Sequence, residues 1–357
     1  MESFYSQAFN FVSAVAGGVD PRTGLFNVNM PLVSLIGNDN LGPSLPLTLH
    51  YTALSTLNQG FGIGCSLGLS QYDTTAMLLT LSTGERYKVA ETPSSVTLQQ
   101  NRLDSVRFDK LVNANAYKIT HKSGEVEWLM GPNQGGHIKV PLKLYTPIGH
   151  RLDLGWDFGS GVPRLSTVTD ERGQLLFRAT YGGSATTLQV WPGTAEAYEI
   201  YLIFQNSYLH RLEHHALAPA LVWELNYKLV GSHNMLVSVT APTGLIESVD
   251  YDDNVQKFPL GAPMPTGLPA VRCYTQTPQG GQPPIVITYD YSSYNYLGFG
   301  GSGGNWSADK DYLYGVLNSY RYWSRATNAG GENREVTIRS YNNFHLLTKE
   351  EVSEANC

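Results

Sequence analysis

Residues 117–129 read YKITHKSGEVEWL, residues 144–156 read LYTPIGHRLDLGW and residues 165–181 read LSTVTDERGQLLFRATY. In each, a run rich in β-branched and aromatic residues leads into a short turn, at Ser123-Gly124, Ile148-Gly149 or Arg172-Gly173, and a second such run leads out. The glycines fall about 24–25 residues apart, a spacing found in stacked supersecondary repeats. Glycine fits there because hairpin turns need a positive φ that other residues adopt only at a cost. Hairpins that all repeat one device predict a wall or scaffold rather than a compact catalytic centre.

The device extends in both directions. Residues 78–89 (LLTLSTGERYKV) turn at Thr83-Gly84, residues 236–251 (LVSVTAPTGLIESVDY) at Thr243-Gly244, and residues 335–352 (EVTIRSYNNFHLLTKEEV) at Asn342-Asn343. Gly84, Gly124, Gly149, Gly173 and Gly244 are therefore read as structural turn residues. Strand-like runs also occur at 25–33 (LFNVNMPLV), 45–51 (LPLTLHY), 198–204 (YEIYLIF), 221–227 (LVWELNY) and 285–291 (IVITYDY). Residues 206–219 read as a loop or a short helix. Residues 258–284 break the pattern with FPLGAPMPTGLP and TPQGGQPP; proline removes ladder donors, so an irregular crossover is expected there. Tyr5, Ala8, Phe9, Val12 and Ala16 recur at helical spacing, which predicts a short docking helix within residues 1–19. Residues 20–357 then form one continuous β-hairpin region. The fold class is all-β: repeated antiparallel hairpins in a long, curved or spiralling sheet, with a short N-terminal helix.

Composition agrees. Hydrophobic residues make up 42% of the chain, enough for a substantial core and too many for global disorder. Only 15% are charged, against 36 glycines and 22 tyrosines, a mixture that favours strands and turns. The net charge of −6, without a Lys/Arg cluster, argues against a nucleic-acid surface. Cys65, Cys273 and Cys357 are too few and too scattered for a disulfide framework or a zinc site, so reduced thiols are expected. Residues 4–19 are apolar but follow Glu2 with no Lys or Arg before them, so a cleaved secretory signal is not expected. No run approaches the ~20 apolar residues of a membrane-spanning helix.

With these hairpins in place, the chain resembles the N-terminal part of the RHS/YD-repeat family, the bacterial β-repeat shells of polymorphic toxins. Residues 45–51 followed by 60–69 (GFGIGCSLGL) resemble the family's opening motif, with Cys65 where tryptophan is often found. Residues 82–89 (STGERYKV), 121–129 (HKSGEVEWL) and 164–181 are similar to the repeats that follow. Residues 341–352 (YNNFHLLTKEEV) resemble a YD-type repeat, with Tyr341-Asn342 for Tyr-Asp and Phe344-His345-Leu346 for Gly-Arg-Leu. The resemblance implies a partial shell that encloses or presents a C-terminal effector not contained in residues 1–357. The implied partners are the remaining shell, the effector and a secretion component, and the implied route is bacterial export in competition or virulence. No self-cleavage segment or spike domain is read in the chain. An open sheet edge within residues 335–352 would be available for self-association.

Candidate chemistry is sparse. In His210-Arg211-Leu212-Glu213-His214-His215, His210 and His214 would share one face of a helix at zinc-site spacing, but a third ligand is not apparent and a histidine-rich loop is the simpler reading. Asp250, Asp252 and Asp253, and Asp309 with Asp311, are the available acid clusters for a glycan hydrolase; acids in turns are mostly solvated caps. Gly64-Cys65-Ser66-Leu67-Gly68 matches a nucleophile elbow literally, but no helical period follows it. Residues 298–304 (GFGGSGG) lack the Lys-Ser/Thr of a phosphate loop. Trp128, Trp156 and Trp191, if exposed, could stack on sugar rings, which makes a carbohydrate-binding surface module the alternative reading. No catalytic residue, metal or cofactor is expected.

Overall fold

The structure, a computed structural model, describes residues 4–9, 18–99, 101, 105–131, 136–328 and 334–355. Strands β1 (Gly18–Val19), β2 (Phe26–Ile36), β3 (Ser44–Tyr51) and β4 (Cys65–Ser66) form a four-stranded sheet in chain order. The other 22 strands form one long antiparallel sheet, open rather than closed, in which chain neighbours pair. The described residues contain no helix beyond 3-10 turns. The chain divides into two compact units, one made of Met1–Val28 and Trp223–Cys357, the other of Asn29–Val222.

In the Asn29–Val222 unit the long sheet comprises β5 (Gln71–Asp73), β6 (Leu78–Thr80), β7 (Arg86–Glu91), β8 (Val96–Leu98), β9 (Val106–Leu111), β10 (Ala116–His121), β11 (Val126–Met130), β12 (Ile138–Tyr145), β13 (Arg151–Asp157), β14 (Arg164–Asp170), β15 (Leu175–Tyr181), β16 (Ala185–Val190), β17 (Tyr198–Gln205) and β18 (Tyr208–His214). Strand β5 also pairs with β12, through Ile138↔Asp73 and Lys139↔Tyr72, so the first strands curl back on themselves. Their inward side chains make a core of Tyr72, Leu79, Tyr87, Phe108, Tyr117 and Ile119. Tyr72 meets Tyr117 edge-on at 4.9 Å and Phe108 at 5.2 Å, the T-shaped contact that ring quadrupoles favour.

The other unit carries β19 (Leu221–Val230, which starts at the unit boundary), β20 (His233–Thr240), β21 (Ile246–Gln256), β22 (Leu268–Thr277), β23 (Ile285–Tyr291), β24 (Arg321–Asn328), β25 (Arg334–Asn342) and β26 (Leu347–Ala355). A 3-10 helix runs over Tyr312–Gly315, capped by Asp311.

The repeated hairpin turn has one construction. At Leu81, His121, Thr146, Asp170 and Ala241, the N–H of the first turn residue donates to the carbonyl four residues on. The glycine three residues on returns its N–H to that residue's carbonyl. Gly84, Gly124, Gly149, Gly173 and Gly244 have φ values from 82 to 97°, the left-handed position that follows a type I turn in such hairpins.

Three expectations change. The docking helix within residues 1–19 falls largely outside the described residues; a 3-10 turn occupies 7–9, and Gly18–Val19 is a strand. The stretch 258–284 is not irregular throughout, because β22 runs through it and Leu268, Ala270 and Val271 are buried. Pro269 is tolerated near the strand start, opposite a register shift between Asp252 and Gln256. The histidine-rich stretch is neither loop nor helix but strand β18, because Leu209 and Leu212 are both driven into the core, with His210 bulged out between them.

Candidate functional site

One face of the long sheet is covered by the chain's own N-terminal segments. In the Asn29–Val222 unit, β2 and β3 supply Met30, Leu32, Leu35, Leu45, Leu47, Leu49 and Tyr51 to the core. The sheet supplies Leu152, Val168, Phe177, Leu188, Ile200, Leu202 and Leu212. Strand alternation explains both sets: every second side chain is apolar and turned inward. The opposite side of β2 and β3 exposes Pro31, Ser34, Ile36, Ser44 and Pro46, none of them charged.

Polar anchors fix this layer. The buried Asp170 carboxylate accepts the N–H groups of Arg172 and Gln174 within its own turn, at 3.0 and 2.9 Å, and the N–H of Asn38 at 3.1 Å. The Asn38 amide donates to the Arg151 carbonyl at 3.1 Å. Along the glycine-rich segment, Thr186 Oγ1 donates to the Gly60 carbonyl at 2.7 Å and Ile63 N–H to the Ser207 carbonyl at 2.8 Å. A Cβ at Gly60 would lie 2.4 Å from the Tyr181 ring, and one at Gly62 would lie 2.6 Å from the Leu209 nitrogen. These glycines are required by close approach of backbone to sheet as well as by their positive φ.

Two ionic groups, a half-buried Glu91 and a buried Glu127, stiffen the curled part of this unit. Glu91 accepts hydrogen bonds from Tyr72 (2.5 Å), Lys110 (2.6 Å) and Tyr117 (2.8 Å). Burial pushes its carboxyl up, but the donors prevail and hold it below the usual range, while burial and Glu91 drive both tyrosines well up. Glu127 accepts from His121 Nε2 at 2.7 Å and Ser70 at 2.9 Å, and the first of these contacts raises the His121 pKa against the opposing effect of burial.

In the other unit the N-terminal residues bind a polar node. Asp311 Oδ2 accepts from Gln7 N–H at 2.5 Å and Ser6 Oγ at 3.3 Å, and lies 2.9 Å from His345 Nε2. Its Oδ1 caps the 3-10 helix through Leu313 N–H at 3.0 Å. His345 Nδ1 is 2.9 Å from the Tyr322 hydroxyl, and the His345 carbonyl accepts from Arg22 Nε at 3.0 Å. The Arg22 guanidinium sits 5.0 Å from the centre of the Tyr341 ring. Burial pushes the Asp20 carboxyl up, and moves the Tyr341 hydroxyl up to about 12. Tyr322, His345 and Asp311 form a hydroxyl–imidazole–carboxylate line, but all three are buried, so the arrangement ties chain segments together and presents no reacting atom to a substrate.

The candidate residues from sequence are dispersed. His214 Nε2 lies 3.0 Å from the Leu32 carbonyl and its ring is 5.0 Å from Tyr198, a packing role. No cluster of metal-holding side chains occurs among the described residues. Trp128, Trp156 and Trp191 are half-buried rather than exposed. Trp156 Nε1 donates to the Pro141 carbonyl at 2.7 Å, and Trp191 packs edge-on against Tyr198. Ser66 is followed by strand and irregular backbone, not by the helix of a nucleophile elbow. Among the acids, Asp252 pairs with Arg272, and Asp311 alone enters a buried network. Among the described residues no helix is long and apolar enough to cross a membrane.

No protein-family model matches the chain, and no curated protein matches it. Among solved structures it is similar to the N-terminal domain of effector protein SpvB from Salmonella typhimurium strain LT2, at 13% identity and a TM-score of 0.29, over 71% of this chain and 99% of that chain. It is also similar to the Tc holotoxin pore of Photorhabdus luminescens, at 11% identity and a TM-score of 0.35. That match covers 95% of this chain and 24% of the other, so the chain spans about a quarter of the second structure's length.

Proposed function

We propose that this chain is a structural, non-catalytic wall: part of an RHS-type β-repeat shell that encloses or presents an effector segment lying outside residues 1–357. The observation that carries the reading is the repetition of one hairpin turn along a 22-strand open sheet, one face of which is covered within the Asn29–Val222 unit by the uncharged strands β2 and β3 of the same chain. A wall needs extent, rigidity and a surface to which a passenger polypeptide does not adhere, and these features supply each. The remaining shell, the effector and a secretion component are the partners in this proposal, with export from bacteria. The half-buried Trp128, Trp156 and Trp191 weigh against a sugar-stacking module, Trp156 being hydrogen-bonded to Pro141 and the other two packed against Tyr145 and Tyr198.

Small-angle scattering on the purified chain tests the proposal. A compact globule of this length has a radius of gyration of about 20 Å. A clearly larger value with a broad distance distribution is expected; a value near 20 Å would mean that the chain closes on its own core and would overturn the wall reading.

A further inference from the structure

The ladder between β20 and β21 stops early. It runs only through Thr240↔Ile246, Val239↔Glu247 and Ser238↔Ser248, after which β20 continues on β19 and β21 on β22. Farther along, the turn between β19 and β20 returns to β21: a Cβ on Gly231 would lie 2.6 Å from the Asp253 carboxylate. The gap is therefore bounded at both ends, and it holds a cavity of about 400 Å³. That volume is in the range of small-molecule sites, and the bounded ends exclude a strand passing straight through.

The lining has a specific chemistry. Lys228 stands on the β19 side and Arg272 on the β22 side, placing a cation on either flank. Arg272 is 3.3 Å from Asp252, whereas Lys228 has no ion-pair partner among the described residues. Ser238 and Ser248 face each other across the last rung, so their hydroxyls lie side by side on one face of the sheet. Asp250 adds an acceptor, and Tyr251 adds a ring. Ammonium and guanidinium take a carboxylate, while the serine hydroxyls and Asp250 take hydroxyl groups. Asp250 in the same cavity opposes a second negative charge on the ligand.

We propose that this gap is a binding site for a hydroxylated monocarboxylate of monosaccharide size, with Lys228 and Arg272 holding the carboxylate and Ser238, Ser248 and Asp250 holding its hydroxyls. The site uses none of the tryptophans and does not depend on the shell reading.

Calorimetric titration of the whole chain with galacturonate tests it, with galactose and citrate as counter-probes. Saturable galacturonate binding in the millimolar range or tighter is expected, with galactose and citrate weaker. Lys228→Ala should weaken galacturonate about tenfold or more, the loss expected for a charge-assisted hydrogen bond. Ser248→Ala should weaken it by a smaller factor. Lys349→Ala, which removes a lysine paired with Glu351 on β26, should change nothing. Because Lys228 is exposed, its variant should keep the parent circular dichroism spectrum. No saturable binding, equal binding of galactose, or unchanged binding by Lys228→Ala would each overturn the proposal.

Discussion

His345 Nε2 lies 2.9 Å from Asp311 Oδ2, and the backbone that holds it there is left-handed, with φ of 60°. In the turn from β25 to β26, Asn342 N–H donates to the Leu346 carbonyl and His345 N–H to the Asn342 carbonyl. His345 therefore occupies the place that glycine takes in the other repeated turns. A strained position is kept because its side chain is needed: the imidazole bridges the Asp311 carboxylate at Nε2 and the Tyr322 hydroxyl at Nδ1.

His345→Gly sets these two effects against each other. Glycine relieves about 1–2 kcal/mol of backbone strain. It also removes two buried hydrogen bonds, one of them to a carboxylate, and leaves the buried Tyr322 hydroxyl without its partner, at a cost of about 3–5 kcal/mol. Net destabilisation of about 2–3 kcal/mol is expected in urea denaturation, with faster amide exchange at Gln7, whose N–H binds the same carboxylate. A variant as stable as the parent would show that strain outweighs the hydrogen bonds.

The glycines separate into two kinds. At Gly149 and Gly173 a Cβ would meet nothing within 4 Å, so alanine there costs only backbone strain, about 1 kcal/mol. At Gly62 the Cβ would run into the Leu209 backbone at 2.6 Å, so Gly62→Ala should cost well over that, about 3 kcal/mol or more. Denaturation midpoints of the three variants, measured side by side, give the ordering.

Asp170→Ala removes a buried acceptor of Arg172, Gln174 and Asn38 N–H groups. A loss of about 3–4 kcal/mol is expected, because these donors are left without their partner. Exchange should rise at both Gln174 in the turn and Asn38 in the covering layer; a rise at Gln174 alone would mean that the layer is held by its apolar face.

The His121–Glu127 contact predicts a direction with pH. The folded-state pKa of His121 is raised, chiefly by its hydrogen bond to Glu127. Its stabilisation is therefore fully present below the unfolded value of about 6.5 and is lost as pH rises through the folded value. The stability gap between the parent and His121→Gln should be widest on the acid side and narrow toward alkaline pH. A gap that widened with pH would reverse the assignment.

The repeated turns were legible because their determinants are local: Gly84, Gly124, Gly149, Gly173 and Gly244 each sit within a few residues of the bonds they close. Strand β18 was obscured because Arg211, Glu213 and the histidines mask the two leucines that define its buried side, and a bulge breaks their alternation. Strand β22 was hidden by Pro269 at its start and by prolines in the flanking loops. The Asp311–His345 node joins positions 34 residues apart, and Ser6 is 305 residues from Asp311, so neither contact leaves a periodic trace. One local signal did exist: histidine in the slot of Gly84 and its counterparts, which marks a place where a side chain is worth a strained backbone. The gap between β20 and β21 depends on where a ladder stops, which hydrophobic patterning does not encode.

In the shell proposed above, the side of β2 and β3 turned away from the long sheet bears on how a passenger chain would move. Pro31, Ser34, Ile36, Ser44 and Pro46 offer no charge, and Ser34 and Ser44 sit with their hydroxyls 3.4 Å apart. A polypeptide drawn across this layer would find no ion to exchange, so the layer would behave as a low-friction bearing.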